Sequence, residues 1–154
     1  MYRGELLEGS GWERIEGEMK YVSCGEFGCW GIRKEDDSVC FRKGITEAAP
    51  QGLQWAPIPG RLRMLESGPS GVTVGINDDN DVFVRKGVVR ENPQGNEWVR
   101  LNIKLNHVTV GDRGVIGVKE DGTVVIHQRE YYFSLTSSPC HCITGYNCLE
   151  RPFI

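Results

Sequence analysis

Tryptophan and arginine residues recur along this chain at one fixed spacing, and they carry its clearest chemistry. Trp12, Trp55 and Trp98 lie 43 residues apart, and Arg42 and Arg85 share that spacing. An indole face packs against the C–H groups of a sugar ring, while polar side chains nearby fix the hydroxyl groups. The pattern predicts a carbohydrate-binding surface. The same residues could instead pack between repeats as core, because large aromatic side chains dominate protein interiors.

Two further residues complete the predicted carbohydrate-binding set. Trp30 occurs in one copy of the spacing only, and Asn77 begins the acidic run 77–81. That run resembles an EF-hand loop in composition, but Val82 stands where the loop needs glycine and Val88 where it needs the closing glutamate. We therefore predict a hairpin turn, no metal site and no cofactor. A calcium ion held by several such turns is left open.

Six cysteines indicate an oxidising compartment. An even number in a domain of this size is typical of a secreted, disulfide-bonded protein. Cys29 could cross-link to Cys40 across one hairpin, or Cys24 could be tied to the tail. The tail run Cys140-His-Cys142 does not have the usual spacing of a zinc site. We predict disulfide bonds and a secreted protein, without choosing the pairing.

Composition narrows the remaining function classes. The formal net charge is -3 and no basic stripe occurs, so nucleic acid is not an expected partner. No apolar run approaches the roughly 20 residues that span a bilayer, so membrane insertion is not expected. The three histidines belong to no recognisable catalytic set. We predict a binding protein rather than an enzyme.

The 43-residue spacing extends far beyond the tryptophans, and it predicts the architecture. Glycine and apolar positions repeat with it: Gly25, Gly68 and Gly111; Gly28, Gly71 and Gly114; Met19, Leu62 and Leu105; Val22, Leu65 and Val108. Between these positions, short apolar runs alternate with turn residues. Four short antiparallel strands in a repeat of this length are typical of one blade of a β-propeller.

At this level the sequence resembles the tectonin repeat, with the fish-egg lectin group as its nearest relatives. The first copy carries the motif in residues 12–17 and 28–32, and the second copy carries it in 55–60 and 75–77. The resemblance covers roughly residues 2–128. The third copy departs from it, with Ile103 in place of a glycine and either His127 or Gln128 in place of the arginine.

The resemblance implies an all-β fold, a β-propeller of tectonin-type four-stranded blades with three repeats per chain. The predicted segments are tectonin repeats over 1–130, with blades at approximately 12–54, 55–97 and 98–130, residues 1–11 as the outer strand of a preceding blade, and a Cys-containing C-terminal tail over 131–154. Three blades do not close a ring, since propellers have about four to eight. The chain could be a fragment that forms an incomplete ring, close through its tail, or form half of a six-bladed assembly. We predict a homo-oligomer.

The resemblance also implies a function. We expect a lectin that recognises cell-surface or microbial glycans, including lipopolysaccharide, in innate immunity. The alternative is an intracellular tectonin-propeller scaffold that binds protein or lipid partners. The fold serves both roles and does not choose between them.

Overall fold

The computed structural model describes residues 11–128, which form eleven strands in three antiparallel sheets. The first sheet contains β1 (Met19–Gly25), β2 (Gly28–Arg33), β3 (Ser38–Lys43) and β4 (Gln54–Arg61). The second contains β5 (Met64–Ser67), β6 (Thr73–Ile76), β7 (Asp81–Lys86) and β8 (Glu97–Lys104). The third contains β9 (His107–Gly111), β10 (Gly114–Val118) and β11 (Val124–Gln128). Each sheet is a blade, which confirms the predicted all-β propeller fold.

Helical structure is almost absent from this part of the chain. A single 3₁₀ turn, Pro69–Gly71, separates β5 from β6. Between residues 11 and 128 there is no helix whose length and apolar character would let it cross a membrane.

The sheets are out of phase with the sequence repeats. The predicted blades begin at the tryptophans, but Trp55 on β4 pairs with Arg42 on β3, and Trp98 on β8 pairs with Arg85 on β7. Each of the first two sheets thus takes its fourth strand from the next repeat. Residues 12–15, at the start of the first predicted blade, form no strand. A repeat period fixes the spacing of side chains but not which backbones exchange hydrogen bonds, so the sequence left this phase open.

Strand register aligns the three sheets residue by residue. In each sheet a glycine of the second strand lies opposite a residue of the third, and these pairs are Gly31–Cys40, Gly75–Phe83 and Gly117–Val125. Arg42, Arg85 and His127 each lie two residues beyond the third-strand partner. The arginine position of the third copy is therefore His127, not Gln128. The glycines are required because Leu62 and Leu105 pack directly against Gly75 and Gly117.

The core lies between consecutive sheets. The first and second sheets bury one cluster, formed by Trp30, Ile32, Val39, Phe41, Ile58, Leu62 and Leu65. The second and third sheets bury another, formed by Met64, Val74, Ile76, Val82, Leu105 and Val108. Both clusters consist of side chains from facing strands, as expected for stacked sheets whose residues alternate between two faces. Apolar packing thus covers the contact between sheets, and a few hydrogen bonds such as that from Tyr21 to Glu66 join them as well.

One disulfide closes the hairpin between β1 and β2. Cys24 and Cys29 are directly opposite in register, with their Cα atoms 4.0 Å apart, and they are bonded to each other. Both pairings considered from the sequence are therefore wrong, because Cys29 lies opposite Arg42 rather than Cys40. Cys40 is a free, buried thiol whose pKa is raised by burial. The cysteines of the tail lie outside the described residues.

Candidate functional site

The arginine of the second sheet is buried, and the tryptophan beside it is half-buried. The Arg85 guanidinium lies 5.3 Å from the ring centroid of Trp98 and 6.0 Å from that of Trp30. Its Nε donates a hydrogen bond of 2.8 Å to the backbone oxygen of Gln94. Burial lowers the pKa of Arg85 from its ordinary value. This residue holds the loop before β8 against its own sheet, and a cation–π contact of this kind stabilises the buried charge.

The equivalent pair in the first sheet has the same role. The Arg42 guanidinium lies 5.4 Å from the Trp55 ring centroid, and its Nε donates to the Gln51 oxygen at 2.8 Å. In the first sheet, Glu16 also binds both members of the pair. Its carboxylate accepts hydrogen bonds of 2.5 and 3.1 Å from Arg42, and its backbone oxygen accepts one of 2.9 Å from Trp55 Nε1. The hydrogen bond from Arg42 lowers the pKa of Glu16. At 3% exposed, Arg42 offers little to a ligand.

The other predicted residues are scattered. Trp30 is buried in the core, whereas Trp12 is fully exposed and belongs to no strand. Asn77 begins the turn between β6 and β7, where its Oδ1 accepts hydrogen bonds from the backbone nitrogens of Asp79 and Asp81 at 3.1 and 2.9 Å. The predicted hairpin turn is therefore confirmed, and the Asn77 side chain oxygen is already occupied. The seven predicted residues do not form one site.

Metal ligands do not converge either. Among residues 11–128 there is no group of three or more histidine, cysteine or acidic side chains placed to hold an ion. Asp81, in the most acidic turn, instead accepts hydrogen bonds from Lys104 and Arg100, which lower its pKa. Bonds to two cations use the carboxylate that a calcium ion would require.

A different cluster forms where three turns meet at one end of the first two sheets. It comprises Glu26, Phe27, Ser70 and Arg90, and we call it the rim cluster. Glu26 and Phe27 come from the β1–β2 turn, Ser70 from the β5–β6 turn, and Arg90 from the loop between β7 and β8. Glu26 Oε2 accepts a hydrogen bond of 2.6 Å from the backbone nitrogen of Ser70. This bond ties the first sheet to the second at their ends.

Arg90 and Phe27 form the open part of the rim cluster. The Arg90 guanidinium lies 5.6 Å from the Phe27 ring centroid, and its Nη2 lies 3.8 Å from Glu26 Oε1. The Arg90 side chain is 76% exposed, while Phe27 is partly buried against Gly71. Gly71 has a φ of 74°, and a Cβ there would lie 2.7 Å from the Phe27 ring, so only glycine allows the ring to lie this close.

The loop around Arg90 is well defined by its backbone. Val89 and Asn92 exchange two backbone hydrogen bonds of 3.2 and 3.0 Å, which places Arg90 at the tip of a tight turn. The first sheet builds the same turn between Thr46 and Ala49, with Glu47 at the position of Arg90. The backbone of the turn is therefore repeated, but the side chain at its tip is not, since Glu47 is acidic and Arg90 is basic.

Sequence reasoning missed the rim cluster because it followed the residues that repeat. Phe27 stands where the other copies have Ser70 and Arg113, and Arg90 stands where the first copy has Glu47. A departure from the repeat at turn positions was the signal available in the sequence. The contact between the three turns was not available, because it depends on how the two sheets stack.

Together, the stacked antiparallel sheets of residues 11–128 define a segment of a β-propeller. The model of the Tectonin domain matches residues 3–106. The chain therefore belongs to the tectonin family. No curated protein sequence matches it significantly.

Comparison with solved structures agrees with the fold. The crystal structure of human WBSCR16 is similar with a TM-score of 0.51 at 14% identity, covering 75% of this chain and 37% of that one. Yeast RCC1 (Prp20) bound to Kap60 gives a TM-score of 0.44 at 16% identity, covering 70% of this chain and 31% of that one. The chain thus spans about a third of the length of these structures, and the likeness to human WBSCR16 concerns the fold alone.

Proposed function

We propose that this protein is a lectin and that its glycan contacts lie at the rim cluster. The observation that carries the proposal is the convergence there of an aromatic ring, a carboxylate and an exposed guanidinium from three separate turns. Lectin sites combine these groups because a sugar ring offers both apolar C–H patches and hydroxyl groups. Membership of the tectonin family supports the same proposal, as does the resemblance of the repeats in this sequence to those of the fish-egg lectin group.

The Arg90 guanidinium at the rim cluster is suited to an anionic glycan. Glu26 Oε2 is held by the Ser70 nitrogen, and Glu26 Oε1, which lies 3.8 Å from Arg90 Nη2, accepts a sugar hydroxyl once Arg90 turns to the anionic group. The five N–H donors of an arginine match phosphate or carboxylate oxygens in pairs. Arg90 is long and exposed enough to move off Phe27 and leave the ring face to the sugar. The phosphorylated sugars of lipopolysaccharide present both a sugar ring for Phe27 and an anionic group for Arg90.

The experiment is a glycan array that includes lipopolysaccharide, probed with the purified protein and with Phe27→Ala and Arg90→Ala. We expect each substitution to weaken binding at least about tenfold, or ~1.4 kcal/mol. Arg113→Ala and Glu47→Ala are the matched controls, since they change the equivalent turn positions of other copies. Equal loss in the controls, or no glycan bound at millimolar concentration, would refute the proposal.

Secretion and a part in innate defence extend this proposal. The Cys24–Cys29 disulfide supports an oxidising compartment. The alternative, an intracellular scaffold for protein or lipid partners, is favoured by one observation: Ile116, Val124 and Ile126 are 43–66% exposed on the outer face of the third sheet. Mass spectrometry of the cysteine oxidation state in protein from its native source distinguishes the two. A reduced Cys24–Cys29 pair supports the scaffold.

A further inference from the structure

Among residues 11–128 the same apolar interface forms twice, once between the first and second sheets and once between the second and third. One face of the first sheet and one face of the third sheet have no sheet packed against them there. Each sheet has one face toward the sheet before it in the chain, called here the preceding face, and one toward the sheet after it, called the following face. The following face of the first sheet packs on the preceding face of the second, and the second packs on the third in the same way. This leaves the following face of the third sheet and the preceding face of the first sheet without a neighbouring sheet among residues 11–128.

The free face of the third sheet has the composition of a core. Val39, Val82 and Val124 occupy the same position of the third strand in the three sheets, just before the residue that pairs with the glycine. Val39 is 0% exposed and Val82 is 1% exposed, but Val124 is 66% exposed. Ile126 is likewise 57% exposed, while its first-sheet equivalent Phe41 is 4% exposed.

The free face of the first sheet shows the complementary difference. Val22, Leu65 and Val108 each lie opposite the repeated glycine of the neighbouring strand in their own sheet. Leu65 and Val108 are 0% exposed because a preceding sheet covers them, whereas Val22 is 52% exposed. The two free faces are therefore the two halves of an interface that the chain already makes twice.

The positions equivalent to Trp98 differ in the same way. Trp98 closes the groove between the first two sheets, where its ring lies 5.9 Å from Trp30. A cavity of about 750 Å³ lies at the corresponding place between the second and third sheets, lined among others by Val74 and His127, the equivalents of Trp30 and Arg85. Trp12, the repeat equivalent of Trp98, is fully exposed and belongs to no strand.

We propose that a second copy of this chain docks head to tail on the first. The third sheet of one copy packs on the first sheet of the other, so that Val124 and Ile126 cover Val22. The segment that carries Trp12 then lies along β11, and its indole enters the cavity beside His127. Continuity with the two internal interfaces selects this occupant over an unrelated protein. Such an interface uses two different surfaces, and two copies that close on each other form a six-bladed ring.

The experiment is sedimentation of the full chain over a range of concentrations, with variants that block one face each. We expect a dimer, and a loss of affinity of roughly 100-fold or more in Val124→Asp and in Val22→Asp, since each places an unpaired charge in an apolar contact. Thr123→Asp is the matched control, because it adds the same charge to an exposed neighbour. Circular dichroism of each variant checks that the fold is retained.

Mixing the two variants provides the sharper test. A Val22→Asp copy keeps an intact third sheet and a Val124→Asp copy keeps an intact first sheet, so together they form one unblocked interface in a dimer that stays open at the second. We expect the mixture to associate where neither variant does alone, with a blue shift of Trp12 fluorescence. A monomeric wild-type chain, a dimer unaffected by either substitution, or a mixture that stays monomeric would overturn the proposal.

Discussion

Three valines at one position of the repeat allow the blade packing to be tested with a single kind of substitution. Val39, Val82 and Val124 are equivalent by strand register, yet only the first two are buried. Val→Ala removes two methyl groups, each of which contributes about 0.8 kcal/mol when buried. The cavity left in a packed core adds to this, so we expect losses of about 2 to 3 kcal/mol at Val39 and Val82. At Val124 in the monomer we expect a change within about 0.5 kcal/mol.

The assay is urea unfolding followed by tryptophan fluorescence, with protein dilute enough to sediment as a monomer. For a chain of this length, a loss of 2 kcal/mol lowers Tm by roughly 4–8 °C, so thermal melts provide an independent reading. The m-value should stay constant, because none of the substitutions changes the surface exposed on unfolding. Equal losses at all three positions would refute the stacking order of the sheets, as would a loss below about 0.5 kcal/mol at Val39.

Two further predictions concern contacts at the first sheet. Tyr21 donates a 2.5 Å hydrogen bond to Glu66 across the first two sheets, and burial together with this bond raises the pKa of Tyr21 from 10.0 to about 12. Because the pKa of Tyr21 is higher in the folded than in the unfolded protein, its contribution to the free energy of unfolding is complete below pH 10 and is lost as the pH rises from 10 to 12. Alkaline unfolding curves of Tyr21→Phe should lack this pH-dependent loss of stability. Reduction of the Cys24–Cys29 disulfide should cost about 2 kcal/mol, since it closes a short loop. A Cys24→Ser/Cys29→Ser variant should show no such response to reductant in calorimetry.

The fold was predictable because packing between sheets imposes a period on the sequence. Every sheet must offer one face to the sheet before it and one to the sheet after it, so apolar positions such as Leu62 and Leu105 recur at the same offset. The glycines recur with them, because the leucine side chains lie directly on Gly75 and Gly117. These constraints are local to one repeat and its neighbour, and a single sequence contains them in full.

The candidate site was not predictable in the same way. The repeated residues stood out in the sequence, namely Trp55, Trp98, Arg42 and Arg85. However, side chains that pack between sheets recur with the same period as side chains that would form identical binding sites. The contacts show that these pairs hold loops and close grooves. The rim cluster depends on three turns that are distant in sequence, and no spacing rule relates Phe27 to Arg90.

The sequence alone determined the repeat, the strand-and-turn composition of each blade and the family. Tertiary structure decided three things: which strand completes each sheet, which cysteines pair and which copies of an equivalent residue are covered. Val22, Leu65 and Val108 occupy the same place in their strands, yet only Val22 is exposed, at 52%. The residue and its local structure are the same in kind at all three positions. What differs is whether another sheet lies in front of it, and that is a property of the assembled structure.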